Sequence, residues 1–186
     1  MPTPTNISRI FSSYRQIDST MSRSAQPGPG ELALLKKIGV TDVIDFRNRD
    51  KKCGSMVGEG AYVKELGMNY HNIQTNARKP SKQNISDFIQ LTDEIKNSGG
   101  LRKGHIHCLQ GIDRTGFYSA LYKCKHKIGT LEENINEMLR LGHSTNACPK
   151  LIPLLKKTVK GWEKGATSAR TFPSIGNIWN RLLHSL

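Results

Sequence analysis

Long apolar runs are missing from this 186-residue chain. No stretch is long enough to cross a bilayer, and the first thirty residues hold no apolar core of signal-peptide length. Acidic residues are scarce: 15 Asp and Glu stand against 28 Lys and Arg, a formal net charge of +13. Cysteine is sparse too, with four residues, Cys53, Cys108, Cys124 and Cys148. Their spacing matches neither a zinc site nor a disulfide framework. A stapled secreted mini-domain is thereby excluded, and a reducing compartment, cytoplasmic in the simplest case, is expected. Export or delivery to another cell stays open.

What is present suits one domain with a sizeable core, at 36% hydrophobic residues. The excess positive charge concentrates anionic partners such as phosphopeptides, inositol lipids or RNA, and does not choose among them. The basic residues are scattered, as on a solvated surface. No continuous basic groove with interleaved aromatics is visible.

Strand and helix patterns alternate along the chain. Residues 1–13 read as a flexible leader rich in Thr, Ser and Pro. Two short runs around Ser19 read as a hairpin. A turn at Pro27-Gly-Pro-Gly30 leads to a short helix over 31–38, which Gly39 ends. Residues 40–46 form a buried strand, followed by Arg47. Residues 51–67 read as a loop and a weak helix, with Gly54, Gly58 and Gly60 too irregular to cradle phosphate. A strand over 68–75 follows. Ser81 is the expected N-cap of a helix carrying Ile85, Phe88, Ile89 and Ile95. Further helices are expected over 115–127, 131–141 and 149–162. The tail, 165–186, places Ile175, Ile178, Trp179, Leu182, Leu183 and Leu186 near helical spacing. It is expected to pack back on the domain or to touch a membrane or partner. The pattern predicts an α/β fold: a central, mostly parallel sheet of four to five strands flanked by helices on both faces, with the functional loop at a strand's carboxyl end.

That loop lies in Gly104-His-Ile-His-Cys108-Leu-Gln-Gly-Ile-Asp-Arg114-Thr-Gly-Phe117. A short strand runs into a glycine-containing loop that opens into a helix. Backbone N–H groups and the positive end of the helix dipole then converge on one point. An anion is held there without a metal, and no cofactor is called for. Cys108 sits where a thiolate is stabilised, and the loop of Leu109, Gln110, Gly111, Ile112 and Asp113 supplies amides. Arg114 offers a two-pronged donor to phosphate oxygens. Gly111 permits a crowded backbone at the tip. Thr115 is expected to hydrogen-bond the sulfur, and Gly116 to let the helix start lie close to the strand. Cys53, Cys124 or Cys148 could pair with Cys108 under oxidation.

His107 through Gly116 resembles the HCxxGxxR(S/T)G signature of cysteine-dependent protein tyrosine and dual-specificity phosphatases. The string ending Arg23-Ser-Ala-Gln-Pro27 is similar to a segment near the start of small bacterial-type members. The resemblance implies a cysteinyl-phosphate mechanism: Cys108 attacks phosphorus, Arg114 binds the equatorial oxygens, and water releases phosphate. It also implies that Arg47, like an Arg common after this strand, orders neighbouring loops, with His107 in support. The substrate expected is a phosphorylated protein or peptide, with phosphotyrosine first and phosphoserine or phosphothreonine second. Inositol lipids, triphosphate-ended RNA and a phosphate-binding pseudoenzyme are the alternatives.

One part is absent. Family members take the leaving-group proton from an Asp on a loop about thirty residues before the cysteine. Here that loop, Ile73-Gln-Thr-Asn-Ala-Arg-Lys-Pro80, has no carboxylate, and Asn76 stands where Asp is expected. Asp87 and Asp93 fall in the next helix, as surface charge. Asp113 lies inside the loop, in a Gly-Ile-Asp-Arg-Thr string resembling the GxDRT form of myotubularin-type lipid phosphatases. It is either the acid (or what positions the water that is) or a brace for Arg114 and the helix start.

Overall fold

In a computed structural model, the structure describes residue 11, residues 13–48 and residues 56–170. Five strands form one sheet in the order β1-β2-β5-β3-β4. These are β1 (Arg15–Gln16), β2 (Met21–Ser24), β3 (Asp42–Asp45), β4 (Asn69–Asn72) and β5 (Gly104–His107). Only the β1–β2 hairpin is antiparallel, pairing Arg15 with Arg23. β5 lies between β2 and β3, parallel to both, with His107 opposite Ser24 and Asp45. A strand flanked in this way is held rigidly on both edges, so the loop leaving His107 starts from a stationary point.

Among the described residues six helices cover the sheet: α1 (Pro29–Lys37), α2 (Met56–Glu65), α3 (Lys82–Lys96), α4 (Asp113–Lys125), α5 (Leu131–Arg140) and α6 (Leu151–Arg170). Alternation along β3 sends Val43 into one core and Ile44 into the other. The smaller core gathers Leu32 and Leu35 of α1, Val63 of α2, Phe11, Tyr14 and Met68. The larger packs Phe88 of α3, Tyr118 of α4, Met138 of α5 and Leu155 of α6 against Ile44, Phe46 and Ile106. Phe46 stacks on Tyr118 with ring centroids 4.0 Å apart.

Most expected elements are found within a few residues. The Ser81 cap is present, its hydroxyl accepting from the Asn84 amide at 3.0 Å. Gly58 and Gly60 belong to α2, and Gly60 allows the Tyr70 ring to approach to 2.8 Å of where a Cβ would stand. Two boundaries move. Phe11, assigned to the leader, is 1% exposed and packs on Tyr14 and His105. An isolated aromatic among Ser and Thr leaves no periodic signal, though it can still fill a core. At the other end α6 runs unbroken past Gly165 to Arg170. The rest of the tail, Cys53 and most of the leader lie outside the described residues. Among the described residues no helix is long and apolar enough to cross a membrane.

Asp42, wholly buried at the start of β3, is the main electrostatic anchor beneath the sheet. It accepts from Arg102 Nη2 at 2.7 Å, Thr41 Oγ1 at 2.7 Å, His71 Nε2 at 2.9 Å and Asn69 Nδ2 at 3.1 Å. Burial alone would raise its carboxyl, but the bonds from His71, Arg102, Thr41 and Asn69 hold it far below the usual carboxylate range. A carboxyl depressed on folding stabilises the fold above its unfolded value of about 3.9, and that stability drains as pH falls toward the folded value. Asp42→Asn should therefore lower urea stability at pH 7 and remove much of the loss that the parent shows between about pH 5 and pH 2. Parallel acid limbs in the two proteins would exclude this role.

Candidate active site

The loop 108–112 leaves the carboxyl end of β5 and enters α4. Cys108 is 3% exposed at its base, while Leu109 and Gln110 are exposed at its rim. Ile112, the N-cap residue, makes no side-chain cap bond. The first-turn amides of α4 therefore have no side chain competing for them.

Two of the loop's carbonyls are bonded to groups on and after β2. The Leu109 carbonyl accepts from the Gln26 amide at 3.1 Å, and the Gly111 carbonyl accepts from Arg23 Nη2 at 2.6 Å. Gly111 has φ +70°, and a Cβ on it would lie 2.5 Å from both the Ser24 carbonyl oxygen and the Ala25 nitrogen. The loop tip thus rests on the backbone that follows β2, and only glycine fits.

Arg114 is half-buried, and Nη1 donates to the Phe46 carbonyl at 3.0 Å. Its other nitrogens have no partner among the described residues, so a donor face remains for an oxyanion. Thr115 departs from expectation. Its hydroxyl is buried without a partner, so the bond to sulfur is absent. Gly116 lies between a strand and a helix, with Arg23 Nη2 of β2 3.9 Å from a Cβ position. Its bare Cα faces α5, with Met138 Cγ 3.6 Å from a Cβ position.

Beneath the loop lies a buried ionic cluster. Arg47 donates to Asp45 through its backbone N–H, Nε and Nη2, and to Glu59 Oε2 at 2.7 Å. His107 places Nδ1 3.3 Å from the Cys108 carbonyl oxygen and Nε2 2.9 Å from Glu59 Oε1. Arg47 thus ties the end of β3 to α2, and Glu59 lies against His107, the residue before Cys108. Burial pushes the Asp45 carboxyl up, but Arg47, His107 and Tyr70 outweigh it and hold it below the usual range. Burial likewise opposes the Arg47 charge, while Asp45 and Glu59 raise the guanidinium above its ordinary value. Asp45, Glu59 and His107 offer ligand atoms within 4.8 Å of one another. Arg47 already occupies the same carboxylates, so the donor set fits an ion-paired support better than a cation site.

Asn76 is exposed, and Oδ1 accepts from the Arg78 amide at 2.8 Å. It shapes its own loop. Asp87 and Asp93 sit on α3, bonded to Gln83 and facing Lys125 and His126. Asp113 is held by two partners that no sequence pattern marks: His143 Nδ1 at 2.6 Å and the Ser144 amide at 3.2 Å, both on Oδ1. The other missed residues are Arg23 and Glu59. A lone arginine inside a buried strand was the available signal for Arg23.

Cys108, Cys124 and Cys148 are free thiols. Burial pushes Cys148 above the ordinary thiol range, aided by the Asp113 charge and opposed by Arg114 and Arg78.

No family model matches the chain. It is 23% identical over 129 residues to the dual specificity protein phosphatase TpbA of Pseudomonas aeruginosa (strain UCBPP-PA14). That match covers 69% of this chain and 54% of TpbA, so the chain spans about half the length of the curated relative. The crystal structure of PTPMT1 superposes with a TM-score of 0.67 at 22% identity, covering 85% of this chain and 99% of that one. P. aeruginosa TpbA solved in complex with phosphotyrosine gives 0.60 at 17% identity, over 86% and 94%. The fold is that of the dual-specificity phosphatases.

Gly111→Ala tests the cradle. The added methyl meets backbone on both sides and strains a left-handed φ, so unfolding free energy should drop by about 1–3 kcal/mol in urea titrations. Stabilisation of the melting temperature by inorganic phosphate should vanish. A variant with the parent's stability and phosphate response would mean that the loop does not rest on residues 24–25.

Proposed function

We propose that this chain is a metal-independent, cysteine-dependent phosphatase acting first on phosphotyrosine. One observation carries the reading. Cys108 sits at the base of a loop with two carbonyls bonded away to Gln26 and Arg23, next to uncapped helix amides and a half-buried Arg114 whose other nitrogens have no partner among the described residues. The likeness to TpbA, whose structure holds phosphotyrosine, supports the same substrate class.

In the first step the Cys108 sulfur forms a bond to phosphorus while the phosphorus–oxygen bond to the leaving group breaks. The leaving oxygen takes the bonding pair and then a proton. Arg114 and the loop amides hold the charge that spreads over the three equatorial oxygens. In the second step water attacks phosphorus, the sulfur–phosphorus bond breaks, and the thiolate returns with inorganic phosphate and a released proton.

We read Asp113 as a brace. Two donors already share Oδ1, fastening the helix start to the connection between α5 and α6. Without a carboxylate on the loop 73–80, phenolic leaving groups are favoured, because a phenolate departs with less help than an alkoxide. Phosphotyrosine should then exceed phosphoserine and phosphothreonine as substrate. Free thiols at Cys108, Cys124 and Cys148 agree with work in a reducing, cytoplasm-like compartment.

The test measures phosphate release from p-nitrophenyl phosphate, phosphotyrosine and phosphoserine peptides, inositol-lipid vesicles and triphosphate-ended RNA, with a chelator present. Among the peptide, lipid and RNA substrates the phosphotyrosine peptide should be hydrolysed fastest, and Cys108→Ser should reduce release to background. Arg114→Lys should cost roughly a hundredfold or more in kcat. Loss of activity in chelator, or full activity in Cys108→Ser, would end the proposal. Preference for lipid or RNA would replace the substrate. Asp113→Asn keeps an acceptor for both donors, so its rate on p-nitrophenyl phosphate should stay within a few-fold of the parent. A large loss confined to alkyl phosphates would make Asp113 the acid instead.

A further inference from the structure

Arg23 lies in β2, 3% exposed, and its one hydrogen bond among the described residues goes to the neutral carbonyl of Gly111. No carboxylate among those residues comes within ion-pairing distance. Its Nη2 also lies 3.9 Å from where a Cβ on Gly116 would stand. The guanidinium therefore sits under the loop, between its tip and the first turn of α4. Isolated buried charges are costly unless an anion compensates them. Arg47, equally buried, has two carboxylates in contact. Arg23 has none in contact: its strongest charged neighbours are Glu137 and then the Cys108 sulfur at the base of the loop.

We propose that Arg23 is a positioning residue that supplies a second, buried positive charge to the site, favouring the Cys108 thiolate and the bound phosphoryl group from below while Arg114 acts from the rim. The proposal rests on the reading of Cys108 as nucleophile. Electrostatics agree with the geometry: burial pulls the Arg23 guanidinium below its ordinary value, while Glu137 and the Cys108 sulfur push it back up and Arg15 opposes them. Coulomb attraction is mutual, and the proposed role puts that attraction to use. Among the described residues, the other titratable and charged groups near the site are His107 before Cys108, Asp113 and Arg114 at the helix start, Asp45, Arg47 and Glu59 beneath the loop, Glu137 of α5, which acts on Arg23, and Cys148 from the α5–α6 connection, which also feels Arg78. Of these elements, β2 contributes only Arg23.

Alkylation of Cys108 by iodoacetamide, followed on the Cys108 peptide by mass spectrometry across pH, reads the thiolate without any phosphatase assay. Arg23→Gln retains a donor for the Gly111 carbonyl and removes the charge. Its alkylation profile should move to higher pH, slowing the reaction at pH 6 by roughly tenfold or more. Arg23→Lys retains the charge and should stay near the parent's profile, while losing kcat because an ammonium does not reproduce the planar contact. A parent-like profile in Arg23→Gln overturns the proposal. Should Arg23→Gln fail to fold, Arg23→Lys decides in the opposite sense, since an upward displacement with the charge still present also overturns it. If the parent hydrolyses no phosphate ester but the contrast between the variants holds, the assigned activity fails and the role of Arg23 stands.

Discussion

A peptide loop binds an anion only if its amides face inward, and that requires its carbonyls to face something else. In this protein the something else is the chain that follows β2. The Gln26 amide takes the Leu109 carbonyl, Arg23 takes the Gly111 carbonyl, and the bare Cα of Gly111 lies against Ser24 and Ala25. Each contact turns one peptide plane outward, so the donors are oriented before any ligand arrives, which is the cheapest form of charge stabilisation. The sheet supplies the rest. β5 is locked between β2 and β3, so the loop and its brace belong to adjacent strands of one rigid body.

A second layer steadies the base of the site. Arg47, Asp45, Glu59 and His107 form a buried polar group linking β3, α2 and β5. Such groups add little net stability, because desolvation offsets attraction, but they tolerate few alternative geometries. Above the loop, Asp113 binds the α5–α6 connection through His143 and Ser144. Clamped from both sides, the loop carries one carboxylate of its own, Asp113, and its Oδ1 is engaged twice. The bare loop 73–80 and the occupied Asp113 point the same way, toward substrates whose leaving groups depart readily.

Much of this was legible in the residues. Period-two and period-3.6 patterns located strands and helices, because burial on one side of an element imposes its own spacing on the chain. The string from Cys108 to Arg114 announced its chemistry since strand, loop and helix are contiguous there. The single Ser81 cap was equally visible, being a local hydrogen bond. Phe11 was not, since one aromatic carries no period. His143 was not, since its meeting with Asp113 depends on how α5 and α6 pack. Thr115 was misjudged because a hydroxyl's partner depends on rotamer and neighbours rather than position in a motif.

By itself the amino-acid order determined which short stretch carries the nucleophile and its arginine, that strands and helices alternate around it, and that the acid loop lacks a carboxylate. These are properties of neighbours in the chain, and covalent connection enforces them. Only the tertiary structure decided that Arg23, 88 positions before the glycine it holds, stands beneath the loop with no carboxylate partner among the described residues, and that Glu59 and His143 complete its supports. Those roles arise from strand register and helix packing, which bring together residues that no local pattern relates.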